Sequence, residues 1–224
     1  MAGRLADLDV RTFGDLRITD DPHSALPPER AYKLVVIVSD VSTNRMLRLP
    51  WDCHMLGIDP DDMPVAHAVR ASASIPFFFE PVIVHRLGHR HPIYLTDGGM
   101  LSNFPIDVFD RRDGKPARWP TFGVKLSARP SAKRGSECPD IRGPIELVKA
   151  LIATMVSAHD QMYLDDPSVV DRTIFVDTSH VSSTNFDIDE AAQQRLFDNG
   201  VQAAEKFLAS WSFDAYLERY RSQP

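Results

Sequence analysis

Asp97 stands where this sequence is best prepared for chemistry. It closes a short apolar run, Ile93 to Thr96, and is followed directly by Gly98 and Gly99. A sheet fixes a carboxylate placed at a strand end, and two glycines let backbone or substrate come close. The same letters have a plainer reading, because Asp-Gly beside apolar residues also signals a tight hairpin turn. A second cluster, His85, His89 and His91, has metal-ligand residue types. Two histidines four apart converge on a helix, and Gly88 with Pro92 argues against one, so a solvated basic loop is expected and no metal. Arg86 and Arg90 add positive charge there, of the kind that meets anionic head groups. Arg70 is expected in an ion pair, and His159, Met155 and Met162 in core packing. Cys53 and Cys138 form no close pair, redox motif or metal pattern.

The elements that would position Asp97 follow from the apolar pattern. Tyr32 to Ser39 (YKLVVIVS) is a β-branched run that reads as a strand buried on both faces, with Leu47 to Leu49 as its partner. A helix is expected over about Met63 to Ser72, capped by Asp61 or Asp62 and stopped before Pro76. Phe77 to Val84 reads as extended around Pro81. Ile93 to Thr96, Thr121 to Leu126 and Thr173 to Val176 are further strands. Ile145, Val148, Ile152, Met155, His159 and Met162 recur at spacings of three and four, one apolar stripe of a helix after Pro144. Another helix is expected from about Asp189 to Ala209 and a short one from Phe213. Met1 to Arg30 is polar and broken by Pro22, Pro27 and Pro28, hence mostly irregular; Lys115 to Pro139 is punctuated like a loop. Strands alternating with helices indicate a layered α/β fold.

Composition narrows the class. With 43% hydrophobic and 25% charged residues in 224, the chain is globular and sized for one domain. A net charge of −6 argues against a nucleic-acid partner. No apolar run nears the ~18 residues of a membrane span, and Asp7 and Asp9 interrupt any signal-peptide core. The expected setting is the cytoplasm, with peripheral membrane contact at most.

Several segments, in order, resemble the patatin-like lipid acyl hydrolases. Ala68 to Pro76 (AVRASASIP) is followed by Phe77-Phe78-Phe79-Glu80-Pro81-Val82, a loop, a strand, Asp97-Gly98-Gly99 and Asn103-Phe104-Pro105; the likeness continues through Arg118 to Leu126. The resemblance implies a central, mostly parallel sheet flanked by helices. It also implies a serine–aspartate dyad with Asp97 as general base, an ester or lipid substrate, and no cofactor. Phe77, Phe78 and Phe79 could then line an acyl pocket. Three successive aromatics cannot all face one side of a strand, so at least one is expected in the core.

The family's glycine-rich oxyanion loop and Gly-x-Ser-x-Gly elbow have no counterpart here: no serine has glycine at both −2 and +2. Ser72 and Ser74 read as packing and capping residues. The chain is therefore expected to supply no nucleophile, to lack the family's N-terminal strands, and to be inactive alone. The regions expected are an irregular segment 1–31, the C-terminal part of a patatin-like catalytic domain at 32–127, and a helical extension at 128–224 packed on it. Two accounts fit: an N-terminal fragment is missing, or the chain is a non-catalytic lipid- or partner-binding remnant. In both, loss of the first strands would leave Tyr32 to Ser39 as an apolar sheet edge.

Overall fold

The computed structural model describes residues 7–19, 26–102, 104–111, 117–126, 166–181 and 187–220, with isolated positions 3, 5, 21, 113, 115, 141, 143, 144, 147, 148, 150 and 185. The chain divides into two compact units. One holds Met1–Val108 with Val148–Asp160, the other Phe109–Leu147 with Gln161–Pro224.

The first unit is built on a four-stranded sheet ordered β2-β1-β4-β3, from β1 (Val36–Asp40), β2 (Arg45–Leu49), β3 (Val82–Val84) and β4 (Ile93–Asp97). Every pairing in it is antiparallel, which corrects the expected central parallel sheet. Connection length gives the reason for two of the three pairings. The β1–β2 and β3–β4 links are too short for the crossover that parallel neighbours need. Asp40 shapes the first link, accepting the Ser42 N–H at 2.8 Å and the Thr43 N–H at 3.2 Å.

β1 is buried at all five positions, as its apolar run requires. It is not an edge, however, because β2 and β4 flank it on both sides. The edges of this sheet are β2 and β3. Arg45 and Arg48 sit on β2, the kind of charge that discourages edge-to-edge pairing. The expected apolar edge at Tyr32 to Ser39 is thereby overturned.

Directly opposed residues of an antiparallel pair share a face. Val36 and Val38 therefore lie beside Leu49 and Leu47, and Asp40 beside Leu95. Onto this face packs helix α1 (Val65–Ser72), burying Val65, Ala68 and Ala71. Small residues at a spacing of three keep that helix close to the sheet. Its N-cap is Pro64, without a side-chain cap, so neither Asp61 nor Asp62 takes the expected role. The reason lies in the N-terminal segment. Asp61 accepts Arg17 Nε at 2.8 and 2.9 Å and the Tyr32 hydroxyl at 2.6 Å. The Arg17 guanidinium also lies 4.6 Å from the Tyr32 ring centre.

The described residues of the N-terminal segment are thus docked on the core. Its 3-10 turn Phe13–Leu16 puts Phe13 fully into the core, edge-on to Tyr32. The Tyr32 hydroxyl, then the Arg17 guanidinium, holds the Asp61 carboxyl below its ordinary range. Tyr32→Phe is expected to cost about 1–2 kcal/mol in urea unfolding at neutral pH. Because Asp61's folded pKa is depressed, its stabilisation is complete above the unfolded value and fades as pH falls through the folded one. The gap between wild type and Tyr32→Phe should therefore hold down to about pH 5 and shrink below about pH 4.

The second unit pairs β5 (Gly123–Leu126) with β6 (Thr173–Val176) in parallel. Helix α2 (Pro167–Val170) precedes β6, with Asp166 accepting the Ser168 N–H at its start. Arg172, buried at the entry to β6, meets Asp110 through two hydrogen bonds of 2.7 Å. Helix α3 (Glu190–Leu208) begins at Asp189, which accepts the Ala192 N–H at 2.6 Å. Helix α4 (Phe213–Tyr220) follows. Phe122 meets Phe207 and Trp211 edge-on and joins β5's lead-in to these helices. Most of the stripe from Ile145 to Met162, Cys138 and the end of the Lys115 to Pro139 loop lie outside the described residues.

Candidate functional site

Alternation along β4 puts Ile93, Leu95 and Asp97 on one face, with Val38 directly opposite Asp97. That is the face covered by α1, so Asp97 is the polar residue where an apolar stripe ends. Asp97 is held from two directions. The Asp97 N–H donates to the Ser74 carbonyl at 3.0 Å, which ties the strand end to the segment leaving α1. The Asp97 Oδ1 accepts the Gly99 N–H at 2.7 Å. Burial pushes the Asp97 carboxyl above its ordinary range, and the Gly99 N–H pulls the other way. Desolvation prevails because a single amide dipole does not replace the water lost by a half-buried carboxylate.

Asp97-Gly98-Gly99 is not a two-residue hairpin turn. After β4 the chain enters a 3-10 turn, Gly98–Met100, with Asp97 as its N-cap. Gly98 packs against the neighbouring strand so closely that a Cβ would fall on the Ile37 carbonyl, 2.7 Å from its carbon. The glycine is required by this approach to β1. Gly99 contributes its N–H to the carboxylate.

The residues expected around the site fare differently. Ser74 is buried, and its hydroxyl donates to the Arg70 carbonyl at 2.8 Å; it closes the end of α1. Phe77, Phe78 and Phe79 are 65%, 43% and 49% exposed. The expectation that one of them packs in the core is wrong. The chain turns at 76–78 instead of continuing as a strand, and Phe77 sits at φ +70. Left-handed backbone at a bulky residue costs on the order of 1–3 kcal/mol, and here it lies three residues beyond the Ser74 carbonyl that holds Asp97. Asn103 falls outside the described residues. Among the described residues, no group of three or more His, Cys, Asp and Glu could hold a metal ion.

Two side chains near Asp97 gave no sequence signal. The hydroxyls of Ser39, opposite Thr96 on the other face of the sheet, and of Ser102 are buried without a hydrogen-bond partner among the described residues. The Ser102 N–H donates to the Gly98 carbonyl at 2.9 Å. A serine inside a β-branched run looks like any strand residue, and burial on the second face becomes visible once the chain is folded. Cys53 is also buried, which pushes its thiol up to about 12, far from a reactive thiolate.

Residues 4–110 match the patatin-like phospholipase family. The matched stretch takes in the whole sheet of the first unit and the Asp97 site. Uncharacterized protein YqhO of Bacillus subtilis (strain 168) is 34% identical over 204 residues, which is 91% of this chain and 62% of that protein. The RpoH suppressor of Rhizobium meliloti (strain 1021) is 27% identical over 154 residues, 58% of this chain and 24% of that protein. The chain therefore spans less than two thirds of either relative.

Proposed function

Because residues 4–110 match the patatin-like phospholipase family, we propose that the chain carries the general base of a serine–aspartate lipid acyl hydrolase and that Asp97 is this base. The observation that supports the role is the environment of Asp97. Its carboxyl is half-buried at the end of an apolar face, raised in pKa by desolvation, and oriented by the Gly99 N–H. An ordinary aspartate is a weak base at neutral pH, and burial at a fixed position moves it toward useful basicity.

In this reading the dyad's serine lies outside these 224 residues, none of whose serines has glycine at both −2 and +2. That hydroxyl would attack the ester carbonyl while Asp97 takes its proton. The proton returns to the departing alcohol, leaving an acyl-enzyme. Water, deprotonated by the same carboxylate, then cleaves the acyl group as a fatty acid. Acyl glycerolipids are the substrate class, and the exposed Phe77, Phe78 and Phe79 are suited to receive their chains. The chemistry calls for no metal or cofactor.

A serine-directed fluorophosphonate tests this. Tagged at its C-terminus in its own host and purified under native conditions, the protein should become labelled on a serine outside these 224 residues. The 224-residue chain alone should take no label and hydrolyse no nitrophenyl ester above buffer. Labelling of Ser72 or Ser74 in the isolated chain would overturn the missing-nucleophile reading. An unlabelled native protein would point instead to a non-catalytic member of the family.

A further inference from the structure

We propose that the β3–β4 hairpin tip is an anchor that docks the first unit on an anionic lipid surface, with Leu87 entering the interface and the surrounding cations meeting head groups. The tip is shaped by a β-turn over Arg86 to His89. The His89 N–H donates to the Arg86 carbonyl at 3.1 Å, and Gly88, third in the turn, has φ +77. This is the conformation that glycine serves in a type II turn. Leu87 is thereby placed at the second position and is 99% exposed. A leucine presented whole to water keeps its full apolar area available for burial in an apolar phase.

The charge around it is one-sided. No acidic residue lies between Pro81 and Thr96, whereas Arg86, Arg90, His85, His89 and His91 surround the leucine. The chain as a whole is at −6, so this local patch runs against its overall sign. The base of the hairpin is also held. Arg86 packs its stem over Gly57, where a Cβ would lie 3.1 Å from Arg86 Cγ, and it donates from Nη1 to the Met55 carbonyl at 3.3 Å. Leu87 is thus offered on a supported turn, so less ordering entropy is lost on docking.

A lipid surface is favoured over a nucleic acid because a phosphate backbone would satisfy the cations and leave Leu87 in water. A membrane accommodates both: the apolar side chain below the head groups, the cations among them. The proposal does not depend on the dyad, since docking needs no turnover.

Flotation of the 224-residue chain with vesicles tests it. Binding is expected to phosphatidylglycerol mixed with phosphatidylcholine, to be weak on phosphatidylcholine alone, and to fall with added salt. Arg90→Glu should weaken it by on the order of tenfold, since each basic residue near an anionic surface contributes about fivefold and reversal removes more than one such factor. Leu87→Asp should reduce it at least as much. Both positions are exposed, so both variants should melt with the wild type. Equal binding by wild type and both variants would overturn the proposal, as would equal binding to the neutral vesicles. Retention on single-stranded RNA with none on either vesicle would overturn it in favour of a nucleic-acid surface.

Discussion

Asp97→Asn is expected to lower ester hydrolysis by the native protein about 10²–10⁴-fold, the usual contribution of a general base. Substrate binding should change little, so the loss appears in kcat. The amide still accepts the Gly99 N–H through its carbonyl oxygen, and geometry is kept while the basic function is removed. A second readout separates this from structural damage. The folded Asp97 carboxyl has a raised pKa because it is desolvated. The native state therefore holds a proton that the unfolded chain has released, and Asp97 stabilises the fold less as pH rises from the unfolded value through the folded one. Above that window the charged form is a burden that asparagine relieves. Asp97→Asn should thus melt no lower than wild type at neutral pH, and its advantage should vanish as pH falls back toward the ordinary carboxylate range. Calorimetry across pH reads this directly. Full activity in Asp97→Asn would remove Asp97 from the chemistry, and a large drop in melting temperature would recast it as a structural cap.

Gly98→Ala is expected to be among the most destabilising single-methyl changes in the first unit. The added Cβ would meet the backbone carbonyl of Ile37 on β1, not the end of a flexible side chain. Either β1 or the turn itself must shift, and β1 is the buried interior strand. Overpacking typically costs about 1–3 kcal/mol, and a clash with central backbone belongs at or above the top of that range. Urea unfolding should show a large fall in the midpoint, with Gly99→Ala as the comparison. A Gly98→Ala variant within 0.5 kcal/mol of wild type, about the scatter of neutral surface changes, would show that the 3-10 turn after β4 is more accommodating than its packing implies. Loss of Asp97 positioning should accompany the lost stability, because the same turn supplies the Gly99 N–H.

The sequence by itself determined several of the elements and pointed to a family. Apolar runs marked β1, β4, β5 and β6 because a β-branched stretch has few other stable uses. The helix expected from about Asp189 to Ala209 matched α3 within a residue at each end. The order of AVRASASIP, Asp97-Gly98-Gly99 and Asn103-Phe104-Pro105 pointed to the patatin-like family, which residues 4–110 match. Tertiary structure decided what local pattern does not encode. The same run that reads as a buried strand says nothing about its neighbours, and so β1 proved to be flanked on both sides and antiparallel to both. Asp61 looked like a helix cap, but Arg17 and Tyr32, distant in sequence, claimed it. Phe77, Phe78 and Phe79 looked partly like core, yet a turn with left-handed backbone at Phe77 turned them outward. Gly98 could be named from its motif; that it must be glycine came from the approach of β1, a contact between residues that sequence separation keeps apart. Local free energy sets which segments form strands and helices, whereas their pairing and the burial of Asp97 depend on contacts made once the chain has closed on itself.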